Sequence, residues 1–166
     1  MMLKLRLTGL FTLLFASTVL LSSCENDDDD DVVYTLNSSL LGSNVVPSSN
    51  SGAFGTVTGN YNRDTRLLTY SVSYTGISGA VTAFHVHAFA DPGFNAFPSS
   101  EFSTGIVQSF TTGSGLTPGA GQYNGTLYVD GVVIREADLL AGKYYVDLHT
   151  AAKPAGEIRA QILLKQ

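Results

Sequence analysis

Three scarcities limit what this 166-residue chain can be. Cys24 is its only cysteine, so no intrachain disulfide can form and a folded domain must be stabilised by its core alone. Basic residues number nine against fourteen acidic ones. From Val32 onward the two signs nearly balance, which excludes the basic surface that nucleic-acid binding requires. No long stretch shows the apolar period of a helix, which favours a β fold.

The N-terminal segment has the pattern of a targeting signal followed by a tether. Lys4 and Arg6 precede a mostly apolar stretch from about Leu7 to Leu21. An apolar run of this length, with small residues before Cys24, indicates a signal peptide over residues 1–23 rather than a membrane-spanning helix. Residues 24–31 carry six acidic side chains. Like charges repel one another and cannot pack, so we expect an extended tether there.

Leu21-Ser22-Ser23-Cys24 resembles the lipobox of bacterial lipoproteins. The resemblance implies that Cys24 is diacylated and becomes the first residue of the mature protein. The acidic run that follows is similar to signals that send lipoproteins to the cell surface in some outer-membraned bacteria. We therefore expect a lipid-anchored protein of the bacterial cell envelope, at the outer membrane and exposed on the cell surface. The alternative is an ordinary secretory signal with an incidental cysteine.

The rest of the chain, residues 32–166, has the pattern of one all-β domain. Short runs of β-forming residues alternate with clusters of Gly, Ser, Asn and Pro. About eight such runs favour an antiparallel sandwich or barrel. The predicted strands are Val33–Leu41, Ala53–Tyr61, Leu67–Thr75, Val81–Phe89, Gly105–Thr111, Gly125–Asp130, Lys143–His149 and Glu157–Leu164. Two tight hairpin turns are predicted, at residues 61–66 and at Asp130-Gly131, with a helical turn at Arg135–Leu140.

Alternation along the strands separates a core face from an outer face. In the strand that contains two histidines, Phe84, Val86 and Ala88 form the better core trio, which places His85 and His87 outside the core. The same alternation predicts which residues of the last two strands lie on the outer face. The predicted outer-face residues of the last two strands are Tyr145, Asp147, His149, Glu157, Arg159 and Gln161.

Two chemistries are open for this histidine face. His85 and His87 lie about 6.6 Å apart along an extended strand, and two converging imidazoles can bridge that distance with metal–nitrogen bonds near 2 Å. His149 and Glu157, or Asp147, are the further candidate ligands, and imidazole favours copper or zinc. The interpretation we prefer is a hydrogen-bonded polar patch that includes Asp147 and Arg159 and requires no metal. Convergence of the three histidines in space distinguishes the two.

Four segments together resemble the CHRD domain, a family named after chordin, over residues 34–165. They are Leu41–Pro47, Phe84–His87, Leu140–Thr150 and Gly156–Arg159. The resemblance implies an immunoglobulin-like, Greek-key β-sandwich with limited similarity to copper-zinc superoxide dismutase. Ala88 and Ala160 stand where the family often has glycine. The family carries no firmly established activity, so the resemblance leaves the function open.

The residues present argue against an enzyme. A copper-zinc dismutase needs four histidines around copper and further ligands around zinc, whereas this chain has three histidines in all. No serine stands in a Gly-x-Ser-x-Gly setting. We expect a membrane-anchored, non-enzymatic binding or interaction module with a protein or carbohydrate ligand, which the aromatic loop of Phe94, Phe97 and Phe102 could contact. The alternative is a copper or zinc binding protein that uses the histidine face.

Overall fold

The computed structural model describes residues 32–99, 103–111 and 120–166. The predicted signal peptide, the predicted lipid-attachment residue Cys24, the predicted acidic tether and Phe102 lie outside these ranges. Within them, none of the helices has both the length and the apolar character needed to cross a membrane.

The described residues form nine antiparallel strands and one short α-helix, with a 3₁₀ turn at Gly42–Asn44. The elements are β1 (Val33–Leu41), β2 (Phe54–Asn62), β3 (Leu67–Thr75), β4 (Val81–Ala88), β5 (Ile106–Thr111), β6 (Ala120–Tyr128), α1 (Glu136–Leu140), β7 (Tyr144–Thr150), β8 (Ile158–Gln161) and β9 (Leu164–Lys165). The predicted all-β fold is confirmed.

The strands are arranged as a sandwich that closes almost into a barrel. The hydrogen-bonded order is β5-β4-β7-β8-β1-β2-β3-β6, with β9 paired to β1. The non-consecutive neighbours β4–β7 and β8–β1 give Greek-key connectivity. One layer holds β5, β4, β7 and β8, and the other holds β1, β2, β3 and β6. The layers join where Leu41 of β1 pairs with Arg159 of β8.

The core lies between the two layers and follows the predicted alternation. Phe84 and Val86 of β4 are fully buried, as are Val146 and Leu148 of β7. Aromatic rings join the layers, since the Phe84 ring lies 5.5 Å from that of Tyr123 on β6. Burial of this many apolar side chains stabilises the described domain, which contains no cysteine for a disulfide.

A tyrosine fixes the corner that leads into β7. The hydroxyl of Tyr144 accepts a hydrogen bond from the Arg135 amide at 3.2 Å, so its ring fills the core while its oxygen holds the chain at the start of α1. This matches the tyrosine corner of other sandwiches. Helix α1 ends at Leu140, as predicted, and its C-cap Ala141 is followed by Gly142, which has a positive φ of 70°.

The structure differs from the sequence prediction in two connections. Asp130-Gly131 does not form a hairpin, because the Asp130 carboxylate accepts hydrogen bonds from three successive amides, Val132 to Ile134, and turns the chain toward α1. The predicted last strand is divided into β8 and β9. The amide of Ile162, between them, donates to the carbonyl of Tyr144.

We predict that Val146→Asp unfolds the domain, because it places an unpaired carboxylate in a fully buried position. The expected loss of stability is about 4 kcal/mol or more. The matched control is Val132→Asp, the same change at a side chain that is 76% exposed, for which we expect a change within about 0.5 kcal/mol. Denaturant unfolding measures both. Equal losses in the two variants would contradict the assignment of the core.

Candidate metal centre

Pairing of β4 with β7 builds a cluster of titratable groups on the outer face of one layer. In the register of these strands His85 lies opposite Asp147, and Ala83 lies opposite His149. Because side chains two apart share a face, His85 and His87 project on the same side as Asp147 and His149. The structure therefore brings all three histidines of the chain together, as predicted.

Four side chains of the cluster each present one ligand atom to a common point. These residues are His85, His87, Asp147 and His149, and their four ligand atoms all lie within 4.8 Å of one another. His149 Nε2 lies 2.9 Å from Asp147 Oδ1 and 3.0 Å from His85 Nδ1. His87 Nε2 lies 3.2 Å from the same Asp147 oxygen. We call these four residues the His–Asp centre.

The carbonyl of Pro154 determines which nitrogen of His149 faces the centre. It lies 3.0 Å from His149 Nδ1, and a carbonyl only accepts, so Nδ1 carries a hydrogen. Nε2 then faces both Asp147 and His85 at close range. One hydrogen on Nε2 cannot make a full hydrogen bond to both acceptors. Without that hydrogen, Nε2 and the Asp147 oxygen are two acceptors in contact. The centre therefore requires a cation at this point, either a proton or a metal ion.

Burial and mutual contact shift the pKa values of these groups in different directions. Burial, followed by the charge of His149, lowers the pKa of His85 to about 4. Burial of His149 also acts to lower its pKa, but the hydrogen bond and charge of Asp147 outweigh it and the pKa of His149 is raised. Burial of Asp147 opposes ionisation. The hydrogen bonds with His149 and His87 prevail and lower the pKa of Asp147 to about 2. Asp147 is thus an ionised carboxylate in direct contact with the imidazoles of His87 and His149.

An aromatic and cationic stack covers one side of the centre. The Tyr145 ring stacks on His87 with centroids 4.7 Å apart, and the guanidinium carbon of Arg159 lies 3.5 Å from the centroid of the Tyr145 ring. Arg159 is only 2% exposed. Its Nη1 donates to Asn95, and the amide of Ala96 donates to the Tyr145 hydroxyl. The loop after β4 therefore packs over this face.

The centre is consequently not the solvated outer surface that alternation predicted. Asp147 is 7% exposed, and the three histidines are half-buried. His87 Nδ1 is buried without a hydrogen-bond partner among the described residues. The aromatic side chains of the covering loop that the structure describes, Phe94 and Phe97, do face solvent.

Glu157 does not belong to the centre, and its prediction as a candidate ligand was wrong. Its side chain is fully buried. Oε1 accepts from Ser51 and from the Ser78 amide, and Oε2 accepts from Ser78 and Thr150. The reason is local, since Gly156 has a φ of 114° and β8 begins only at Ile158, so the outward alternation of β8 does not extend to Glu157.

Arg159 and Asp147 were predicted as a polar patch, and the structure gives them different roles. Arg159 stacks on Tyr145 and donates hydrogen bonds to Asn95 and Gln161. Asp147 contacts His87 and His149 directly, and it is the carboxylate of the group that could hold a metal ion, whereas Glu157 is not part of that group. The signal was present in the Asp147-Leu148-His149 spacing, which places a carboxylate and an imidazole on the same face two residues apart.

Comparison with known proteins identifies the family. The CHRD domain family matches residues 36–162. The chain therefore belongs to the CHRD domain family, and the resemblance seen in its motifs is confirmed over most of its length. No curated protein and no solved structure shows a match to the chain.

We predict that Glu157 stabilises the fold in a pH-dependent way. Burial opposes its ionisation, but four hydrogen bonds outweigh this and lower its pKa below the ordinary value of 4.5. A lowered folded-state pKa gives stability that is complete above pH 4.5 and is lost as the pH falls through the folded-state value. Glu157→Gln replaces one acceptor oxygen with a donor, and we expect it to cost roughly 2 kcal/mol at pH 7.

The measurement is urea unfolding of both proteins from pH 7 to pH 3. The difference between wild type and Glu157→Gln should shrink as the pH falls below 4.5. Asp64→Asn, an exposed change in the β2–β3 turn, is the control and should leave stability within about 0.5 kcal/mol. A difference that stays constant over this pH range would contradict the role of the buried carboxylate.

Proposed function

We propose that this CHRD protein is a lipid-anchored, non-enzymatic module of the bacterial cell envelope whose His–Asp centre binds one copper or zinc ion. The observation that carries the proposal is the convergence of four ligand atoms from His85, His87, Asp147 and His149 within 4.8 Å. This favours the metal-binding alternative over a polar patch that requires no metal.

The distances within the centre are close to those of a metal shell. A tetrahedral ion with bonds of about 2 Å holds its ligand atoms about 3.3 Å apart. The shortest ligand contacts in the centre are 2.9, 3.0 and 3.2 Å, and His85 Nδ1 lies 3.9 Å from Asp147 Oδ1. Small rotations of the side chains are therefore sufficient to admit an ion.

The ligand types select among metals. Three imidazoles and one carboxylate suit zinc and Cu(II), whereas Cu(I) prefers sulfur ligands. The hydrogen bond from His149 Nδ1 to the Pro154 carbonyl orients that ring and directs Nε2 inward, which is the usual support behind a metal-binding histidine. The negative charge of Asp147 offsets part of the charge of a divalent ion.

The number of ligands supports holding a metal rather than catalysis on it. Catalytic zinc sites commonly use three protein ligands and leave a fourth position for water, whereas four protein ligands are typical of structural sites. The half-buried centre also lies beneath the stack of Tyr145 and Arg159, which leaves little room for a substrate. A metal here would join β4 to β7 and stabilise the domain.

We predict that metal-free protein binds one equivalent of zinc or copper and becomes more stable. Free metal at a hundred times the dissociation constant adds about 2.7 kcal/mol, which is a rise in melting temperature of roughly 10 °C for a domain of this size. The variant His85→Ala/His87→Ala should lose this rise, because it removes two of four ligands. Calorimetric titration and thermal unfolding with and without metal measure these effects.

The control variant for metal binding is Asp91→Asn, which removes an exposed carboxylate from the loop after β4 and should retain both stoichiometry and stabilisation. Asp147→Asn keeps the shape of the side chain and should weaken binding. Absence of stoichiometric binding, or equal binding by the double histidine variant, would contradict the proposal and assign the centre to a proton-bridged hydrogen-bond network.

We predict that Cys24→Ala releases the protein from membranes and abolishes incorporation of labelled fatty acid, because the lipid on Cys24 is the proposed anchor. Ser23→Ala keeps a small residue before the cysteine and is the matched control, which should remain anchored. Fractionation of cells and metabolic labelling measure the two effects. Persistent membrane association of Cys24→Ala after confirmed cleavage of the signal would contradict lipid anchoring.

A further inference from the structure

The layer opposite the His–Asp centre has an outer face of unusual composition. On β1, β2, β3 and β6, every outward position over three consecutive cross-strand rows is a short, uncharged polar residue. The rows are Ser39, Thr56, Ser73 and Gln122; Asn37, Thr58, Ser71 and Asn124; and Thr35, Asn60, Thr69 and Thr126. We call these twelve residues the hydroxyl–amide face.

The face is a regular and accessible array. Ser71 is half-buried and the other eleven residues are exposed. Neighbouring strands lie about 4.8 Å apart and alternate residues along a strand about 6.7 Å apart, so the polar groups form a grid.

None of the twelve residues of the hydroxyl–amide face carries a charge, and this limits the kind of ligand that the face can bind. Proteins usually keep an exposed sheet face hydrated with lysine and glutamate, and residues 32–166 include 15 charged residues, seven basic and eight acidic. None of them occupies the grid. A ligand for this face is therefore not an ionic polymer, because no counter-charge is present to bind it. A neutral ligand with many hydroxyl groups suits the face, because its hydroxyls can donate hydrogen bonds to, and accept them from, the hydroxyl and amide side chains.

The hydrogen-bonding groups of the middle row are available for such a ligand. Thr56 pairs with Ser73 and Gln122 donates to Ser71 within the face. By contrast, Asn37, Thr58 and Asn124 make no side-chain hydrogen bond with the residues that the structure describes. Short side chains also lose little rotamer freedom when a ligand orders them. Three of the four middle-row residues thus present donors and acceptors that are unpaired among the described residues, and only Ser71 is already paired, with Gln122.

Exposed aromatic rings stand at the two ends of the face. Phe54 begins β2 and is 58% exposed, and Tyr128 ends β6 and is 57% exposed. They are eight residue positions apart along the sheet, since Tyr128 pairs with Leu67 and Leu67 pairs with Asn62, a span of about 26 Å at about 3.3 Å per residue. Aromatic rings offer flat apolar surfaces to the C–H faces of sugars, and the span accommodates several sugar rings.

We propose that the hydroxyl–amide face binds a neutral polysaccharide, with the middle row hydrogen-bonded to sugar hydroxyls and Phe54 and Tyr128 stacked on rings at either end. This site is independent of the proposed metal function, because it lies on the other layer and shares no residue with the His–Asp centre. An anchored protein with such a face would hold neutral glycan at the envelope.

The test is affinity electrophoresis of the full chain in native gels that contain a neutral polysaccharide, namely dextran, galactomannan or a soluble β-glucan. Alginate, an anionic polysaccharide, is the charge control. The variant Asn37→Ala/Thr58→Ala/Asn124→Ala, called the middle-row variant, removes the three middle-row side chains that make no hydrogen bond with the described residues. The matched control Thr82→Ala/Thr104→Ala/Ser109→Ala truncates three exposed polar residues outside the face. Thermal unfolding checks that both variants remain folded.

We expect at least one neutral polysaccharide to retard the wild type and alginate not to retard it. The retardation should be at least tenfold weaker for the middle-row variant, and the control variant should retain it.

Failure of every neutral polysaccharide to retard the wild type would overturn the proposal. Equal weakening in the control would do so as well. A middle-row variant that changes only the oligomeric state would assign the face to a second copy of the chain. Metal titration of the same variants tests the metal proposal separately, because the middle-row variant should still bind metal if the two sites are independent.

Discussion

Antiparallel pairing of β4 with β7 is the constraint on which both the core and the His–Asp centre depend. The two strands pair in a register in which Phe84 lies opposite Leu148 and His85 lies opposite Asp147. A shift of one residue would exchange the faces and send imidazoles into the core. The apolar side chains of these strands thus fix the register, and the register in turn assembles the polar centre.

Local periodicity explains what the sequence could predict. A strand alternates with period two whatever it pairs with, so the inward placement of Phe84 and the outward placement of His85 and His87 were correct. The corner at the start of β7, where the Arg135 amide donates to the Tyr144 hydroxyl, is likewise formed by residues close in sequence. The family was correctly identified from motif spacing, and the match over residues 36–162 confirms it.

Long-range geometry explains what the sequence could not predict. The position of Asp147 opposite His85 depends on strand pairing, and the burial of Arg159 depends on a loop that packs from 64 residues away in the chain. Glu157 was placed wrongly because the positive φ of Gly156 interrupts alternation just before β8. Asp130-Gly131 has the composition of a hairpin, yet the Asp130 carboxylate binds three amides and starts a different turn.

The two layers present outer faces with opposite chemistry. One concentrates titratable groups beneath a covering loop, where burial strengthens their interactions. The other is open and uncharged, and its short side chains are spread evenly over four strands. Such a division suits the two proposals, in which a metal ion stabilises one layer and a neutral polysaccharide binds to the outer face of the other. Both faces are supported by the same apolar core, which lies between the two layers.

The measurement that tests the His–Asp centre most directly is a crystal structure of the protein loaded with one equivalent of zinc, with anomalous diffraction at the zinc edge. The account predicts a single peak about 2.0 to 2.2 Å from four atoms, one each from His85, His87, Asp147 and His149. A peak bound elsewhere, or a centre in which His149 Nε2 keeps its direct contact with Asp147 and no metal lies between them, would contradict it.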